Sequence, residues 1–235
     1  MQTGQGMSGS VAHGAPMTND TSTAPTSATI DGSDPRDVIA STMATAVEVI
    51  AAVRPEQMEL PTPCPDYDVR GLIAHLVAVL DRIEMFGTQG DVGSVGVQSE
   101  LLADDEWVSR WDATVHRVLD AWADDSRLDA EMRLPWRTMT GRPALAIYTN
   151  ELTVHTWDLA HATGQHPAWD PEVLAVSSHA IHTELPGSER AAQWQEVAAQ
   201  LPPGVPFTAP FADAVDVPAD AAPVERLVAW NGRRP

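Results

Sequence analysis

The chain contains no lysine: its 14 basic residues are all arginine, set against 33 acidic ones, for a formal net charge of -19. A phosphate backbone needs clustered cations, so this balance argues against nucleic-acid binding. Arginine in place of lysine is typical of GC-rich genomes, and acidic side chains on solvated faces account for the charge without an acidic site. Cysteine is nearly as scarce. Cys64 stands alone, which excludes an intrachain disulfide and a cysteine-rich zinc cluster and suits a reducing, cytoplasmic setting. No run approaches the roughly 18 consecutive apolar residues of a membrane span. The opening residues have neither the basic start nor the apolar centre of a signal peptide.

What is present points to one soluble domain. Apolar residues at 43% and charged residues at 20% match a folded globular chain rather than a disordered one. Met1 to Ser33 is rich in Gly, Ser, Thr and Ala and has no period, so it reads as a disordered N-terminal tail preceding a single domain over residues 34–235.

Helix signals then recur along the chain. Asp34-Pro35 opens a first helix whose Val38, Ile39, Thr42, Ala46, Val49, Ile50 and Val53 share a face, and Arg54-Pro55 closes it. The stretch Leu60 to Tyr67 holds three prolines and is an irregular loop. Asp68 caps a second helix carrying Leu72, Ile73, Leu76, Leu80 and Ile83, followed by a mobile loop over Gly87 to Gly96. Asp104 or Asp105 caps a third helix with Trp107, Trp111, Val115, Val118 and Trp122 on its core face. Pro143 opens a fourth that ends at Gly164, and Asp170-Pro171 opens a fifth over Glu172 to Glu184. A sixth is expected within Ser188 to Leu201, a short strand at Ala214 to Val217 and a last helical turn at Val224 to Trp230. The fold class is therefore mainly α, with a helical bundle as its core.

One row of residues is out of keeping with a plain core. Tyr148, Glu151, His155 and Asp158 follow one another at steps of 3, 4 and 3 on the face of the fourth helix that periodicity turns inward. A buried carboxylate is costly unless it is paired or bound to a metal. On the second helix His75 borders the apolar stripe and also faces inward. Together, two imidazoles and one carboxylate form the His2Glu donor set of open catalytic zinc sites. The plain alternative is equally local: a hydrogen-bonded core histidine beside an i, i+4 Glu-His pair. His179 and His182 read as surface or cap residues, and His161, about 120° round the helix from His155, as exposed. Cys64 precedes a helix N-terminus, where a thiol can be tuned, but its prolines favour a buried small residue.

The run TPCPDYDVRGLIAHL, Thr62 to Leu76, resembles the loop-and-helix signature of the metal-binding domain of mycothiol-dependent maleylpyruvate isomerase, within the DinB-like superfamily. ELTVHTWDLAHATG, Glu151 to Gly164, is similar to the second signature of that group, while Leu134-Pro135-Trp136 and Val224 to Trp230 resemble its short-form members. The resemblance implies a DinB-like four-helix bundle with additional C-terminal helices and a short irregular tail. It also implies a divalent metal, zinc, held by His75, Glu151 and His155. By the same resemblance the open coordination position receives the sulfur of mycothiol, so that the partners are a small-molecule thiol and an electrophilic small molecule, and the activity is that of a transferase or isomerase. A non-catalytic metal-binding sensor is the alternative. Asp158 either orients a ligand, binds a nearby Arg, or forms an ordinary helix-face ion pair. Little chain follows Pro186, so isomerisation of maleylpyruvate itself is not expected.

Overall fold

A computed structural model describes residues 33–235 apart from position 91 and residues 134–137 and 200–210. The expected disordered tail, except Ser33, and the Leu134-Pro135-Trp136 motif lie outside the described residues. The mainly helical prediction holds: eight α-helices, two 3-10 turns and one antiparallel pair of strands account for the regular structure among the described residues.

Helix α1 (Pro35–Ala51) begins where its cap predicts, with the Asp34 carboxylate accepting from the Arg36 N–H at 2.9 Å and Pro35 at the first helical position. Its buried Ile39, Met43, Ala46 and Ile50 recur at helical spacing and face the core. Helix α2 (Val69–Gly87) is capped by Asp68, whose Oδ1 accepts from the Gly71 N–H at 2.7 Å. Every residue from Gly71 to Leu80 is buried, because α2 has neighbours on several sides. Helix α3 (Trp107–Ala121) supplies Trp107, Trp111 and Val118 to the same core, with Trp122 just beyond its end. After the short α4 (Ser126–Asp129) and the antiparallel strands β1 (Glu131–Arg133) and β2 (Thr138–Thr140), helix α5 (Gly141–Thr163) runs through the middle of the molecule. It ends at Gly164, which takes the left-handed conformation (φ 71°) expected of a C′ glycine.

Helices α1, α2, α3 and α5 form the bundle: α5 packs on α1 and α2, and α3 closes the ring against both. Helix α6 (Pro171–Glu184) and helix α8 (Pro223–Trp230) add an outer layer on α5, while α7 (Arg190–Ala199) lies between them in sequence. Leu174, Ile181 and Leu227 make a second, smaller apolar cluster that fastens α8 to α6.

Several expectations are corrected. Helix α3 is not capped by Asp104 or Asp105; Glu106 occupies the cap, its carboxylate accepts from the Ala103 N–H at 3.0 Å, and Asp104 is drawn off to pair with Arg70. Helix α5 starts two residues before Pro143, which sits in the first turn where no intrahelical N–H bond is due. No strand forms at Ala214 to Val217. The Ala214 and Val215 N–H groups donate to the Gly187 and Ala229 carbonyls, one in the loop after α6 and one in the last turn of α8, which offer no ladder. Gly87 to Gly96 is not a bare loop: Val92–Ser94 is a 3-10 turn and Val92 is buried. No described helix is long and apolar enough to cross a membrane.

Candidate metal centre

The proline-rich loop before α2 is held by local polar bonds. The Thr62 hydroxyl lies 2.9 Å from the Cys64 carbonyl and 2.8 Å from the Tyr67 carbonyl, and Pro61 bridges Asp68. This turn lays the Tyr67 ring against His75, with centroids 4.8 Å apart and planes 25° apart. From the other side, the chain beyond α2 folds back along the same helix. Arg82 Nη2 donates to the Gly96 carbonyl at 2.7 Å, Ser99 N–H to Ala74 at 3.0 Å, and Gln98 Nε2 to Gly71 at 3.0 Å.

That returning strand of chain decides the chemistry of His75. Its Nδ1 lies 2.6 Å from the Val97 carbonyl oxygen, which can only accept, so Nδ1 carries the proton. In the neutral ring the lone pair then falls on Nε2, which is buried without a hydrogen-bond partner. Glu151 Oε1 stands 3.6 Å away.

His155 repeats the arrangement from α5. Its Nδ1 is 3.2 Å from Asp158 Oδ2, and Asp158, fully buried, is held in turn by Arg233, Nη2 to Oδ2 at 2.9 Å and Nε to Oδ1 at 3.2 Å. The one carboxylate of Asp158 thus contacts both a histidine and an arginine. The rings of His75 and His155 meet edge to face, 4.7 Å apart.

His75, Glu151 and His155 therefore converge, with one donor atom from each lying within 4.8 Å of the others. Tetrahedral zinc with bonds of about 2.0–2.1 Å separates its ligand atoms by about 3.3 Å, so small side-chain rotations close the set on an ion. The donor types and the orphaned Nε2 fit such an ion. A second group, Cys64, His155 and Asp158, shares one histidine with the first. It is a poor cation site, because Arg233 already occupies the Asp158 carboxylate.

The electrostatics agree. Burial pushes the Glu151 carboxyl up, but His75, His155 and Arg82 together outweigh it and leave the group below its ordinary value, ionised. Burial lowers His155 below its ordinary value against the opposing pull of Asp158, which favours the neutral ring a metal requires. Asp158 is held low, since His155 and Arg233 overcome its burial. Although enclosed by charged neighbours, Glu151 keeps 28% of its side chain open to solvent, so the site has a mouth.

Tyr148 continues the inward row, buried against Phe86 with ring centroids 5.4 Å apart. The other histidines weighed from the sequence lie apart from this group. His161 is exposed against Trp157, and His179 and His182 are exposed on α6, where His182 stacks on Trp230. Cys64 is buried, and burial pushes its thiol pKa up.

Two arginines were not anticipated by number. Arg82, with Nη1 3.8 Å from Glu151 Oε1, lies seven residues after His75 on one helix face, a spacing that could have revealed it. Arg233 is remote from Asp158 in sequence and left no such trace.

A helical bundle that brings two imidazoles and a carboxylate together across adjacent helices offers a candidate metal site. The chain belongs to the mycothiol maleylpyruvate isomerase N-terminal domain family, whose sequence profile matches residues 39–160. It is 28% identical over 185 residues to the uncharacterised protein Rv0738 of Mycobacterium tuberculosis strain H37Rv, and equally to MT0763 of strain CDC 1551, across 79% of this chain and 90% of theirs. The crystal structure of the mycothiol-dependent maleylpyruvate isomerase superposes with a TM-score of 0.53 at 14% identity, covering 68% of this chain and 70% of that one. A histidine-to-alanine mutant of that enzyme gives 0.52 at 13% identity. At such identities the likeness shows the fold.

Proposed function

We propose that this protein is a metal-dependent, thiol-using transferase or isomerase in which His75, Glu151 and His155 hold one divalent ion, zinc, and mycothiol is the thiol. The observation that carries the reading is the pairing of both Nδ1 atoms with oxygen acceptors, leaving the orphaned Nε2 of His75 beside Glu151. A thiol coordinated to zinc loses its proton near neutral pH, which is the chemistry the ion supplies when bound.

The chain's own side chains define the rest of the site. Val97 and Asp158 fix the two imidazoles in one tautomer each, so neither ring needs to change tautomer on binding. Tyr67 covers one face of His75 and screens it from water. Arg82 sets a guanidinium beside Glu151, where it can meet an anionic group on the electrophile. The solvent-open edge of Glu151 marks the side from which thiol and electrophile enter.

A sensor that closes its coordination sphere would need a fourth protein donor. Among the described residues, no further His, Cys, Asp or Glu lies within 4.8 Å of all three donor atoms, which is compatible with an open coordination position.

The test is elemental analysis of protein purified without chelator, followed by thermal unfolding with mycothiol. One metal per chain and a mycothiol-dependent rise in melting temperature are expected, both lost in His155→Ala. Wild-type protein without stoichiometric metal would overturn the proposal.

A further inference from the structure

The family match stops at residue 160, yet a contact that supports His155 comes from the far end of the chain. We propose that Arg233 is a positioning residue: through Asp158 it fixes the ring of His155 so that Nε2 stays turned into the site. The inference rests on the metal-site reading above and extends it to a segment outside the matched domain.

The geometry is that of a clamp. Arg233 engages both oxygens of Asp158, Nε to Oδ1 at 3.2 Å and Nη2 to Oδ2 at 2.9 Å, which sets the plane of the carboxylate. The same Oδ2 receives the His155 Nδ1–H at 3.2 Å. A carboxylate with no exposed surface and a single imidazole partner would be under-compensated, and its orientation would not be defined. With the guanidinium in place, plane and acceptor direction are both determined, and the imidazole follows.

Arg233 is itself placed by local structure. Asn231 caps the end of helix α8, and Gly232 turns left-handed at φ 83°. The Gly232 N–H then donates to Ala229 at 3.0 Å and the Arg233 N–H to Val228 at 2.9 Å, the two bonds of a Schellman motif. This reversal points the arginine back at α5. Helix α8 is anchored there a second time by reciprocal amide bonds between Asn231 and Asn150, at 3.1 and 3.2 Å. The C-terminal segment thus grips α5 just before Glu151 and again just after His155.

The experiment uses the full-length protein with Arg233→Gln and Arg233→Lys, and Arg234→Gln as a control that removes the same charge from an exposed neighbour. Zinc affinity is measured by competition with a chelator, and the cobalt-substituted proteins are compared by visible absorption. Arg233→Gln should weaken zinc binding by about tenfold or more and alter the cobalt spectrum, Arg233→Lys should recover part of both, and Arg234→Gln should match wild type. In the metal-free proteins, side-chain 15N shifts should show His155 as one tautomer in wild type and a mixture in Arg233→Gln. That last readout separates the two ideas: wild type without metal sinks the metal site, whereas an unchanged tautomer and unchanged affinity in both Arg233 variants overturn the positioning role. Should Arg233→Gln fail to fold, the lysine variant decides.

Discussion

The imidazoles of His75 and His155, from different helices, stand edge to face with planes 81° apart. Each has its Nδ1 turned away to an oxygen, on Val97 in one case and Asp158 in the other. Two rings so constrained can present Nε2 to one point from different directions, which a tetrahedral ion requires and a flat stack would not provide. Helices α2 and α5 hold that relationship through a packed core.

The first prediction separates this pair from the remaining histidines. Elemental analysis should find metal lost from His75→Ala and from His155→Ala, and retained in His179→Ala and His182→Ala, whose parent side chains are exposed on α6. An equal loss in the α6 variants would move the site elsewhere.

A second concerns the buried ion pair. Replacing Asp158 by Ala leaves Arg233, whose side chain is only 11% exposed, without its anion. Removing one partner from such a pair costs about 3–5 kcal/mol, and urea unfolding followed by tryptophan fluorescence should show a loss of that order. A change within ordinary surface values would mean that the pair is hydrated in solution.

Acid sensitivity of the metal-free protein has a definite sign. His155 titrates below its ordinary 6.5 when folded, so as pH falls through about 6.5 the unfolded chain takes up its proton first and stability declines toward the lower folded value. Glu151 and Asp158 are held below 4.5 and 3.8; their contribution is present above those values and is lost as pH falls through the depressed folded ones. Urea midpoints measured across pH should therefore fall in two stages, and His155→Gln should remove the first. A flat profile from about pH 7 to about pH 5 would contradict the buried neutral imidazole.

Cys64 should behave as an inert core thiol. It is buried and its pKa is raised by that burial. Alkylation by iodoacetamide, followed by mass spectrometry, should be slow in the native protein and rapid in denaturant. Fast native labelling would instead indicate that the loop before α2 opens.

The sequence by itself determined the helices and half of the centre. Asp34-Pro35, Asp68, Asp170-Pro171 and Gly164 mark boundaries because caps and left-handed glycines are local chemistry, legible without knowing what the helix packs against. The inward row from Tyr148 to Asp158 was equally legible, since a period of 3.6 residues puts steps of 3, 4 and 3 on one face. Tertiary structure alone decided how these parts meet. The antiparallel strand pair between α4 and α5, the return of Val97 onto His75 and the reach of Arg233 to Asp158 join residues whose separation along the chain carries no periodic signal. Such contacts depend on where packed helices bring chain ends and loops, and a one-dimensional pattern holds no record of that.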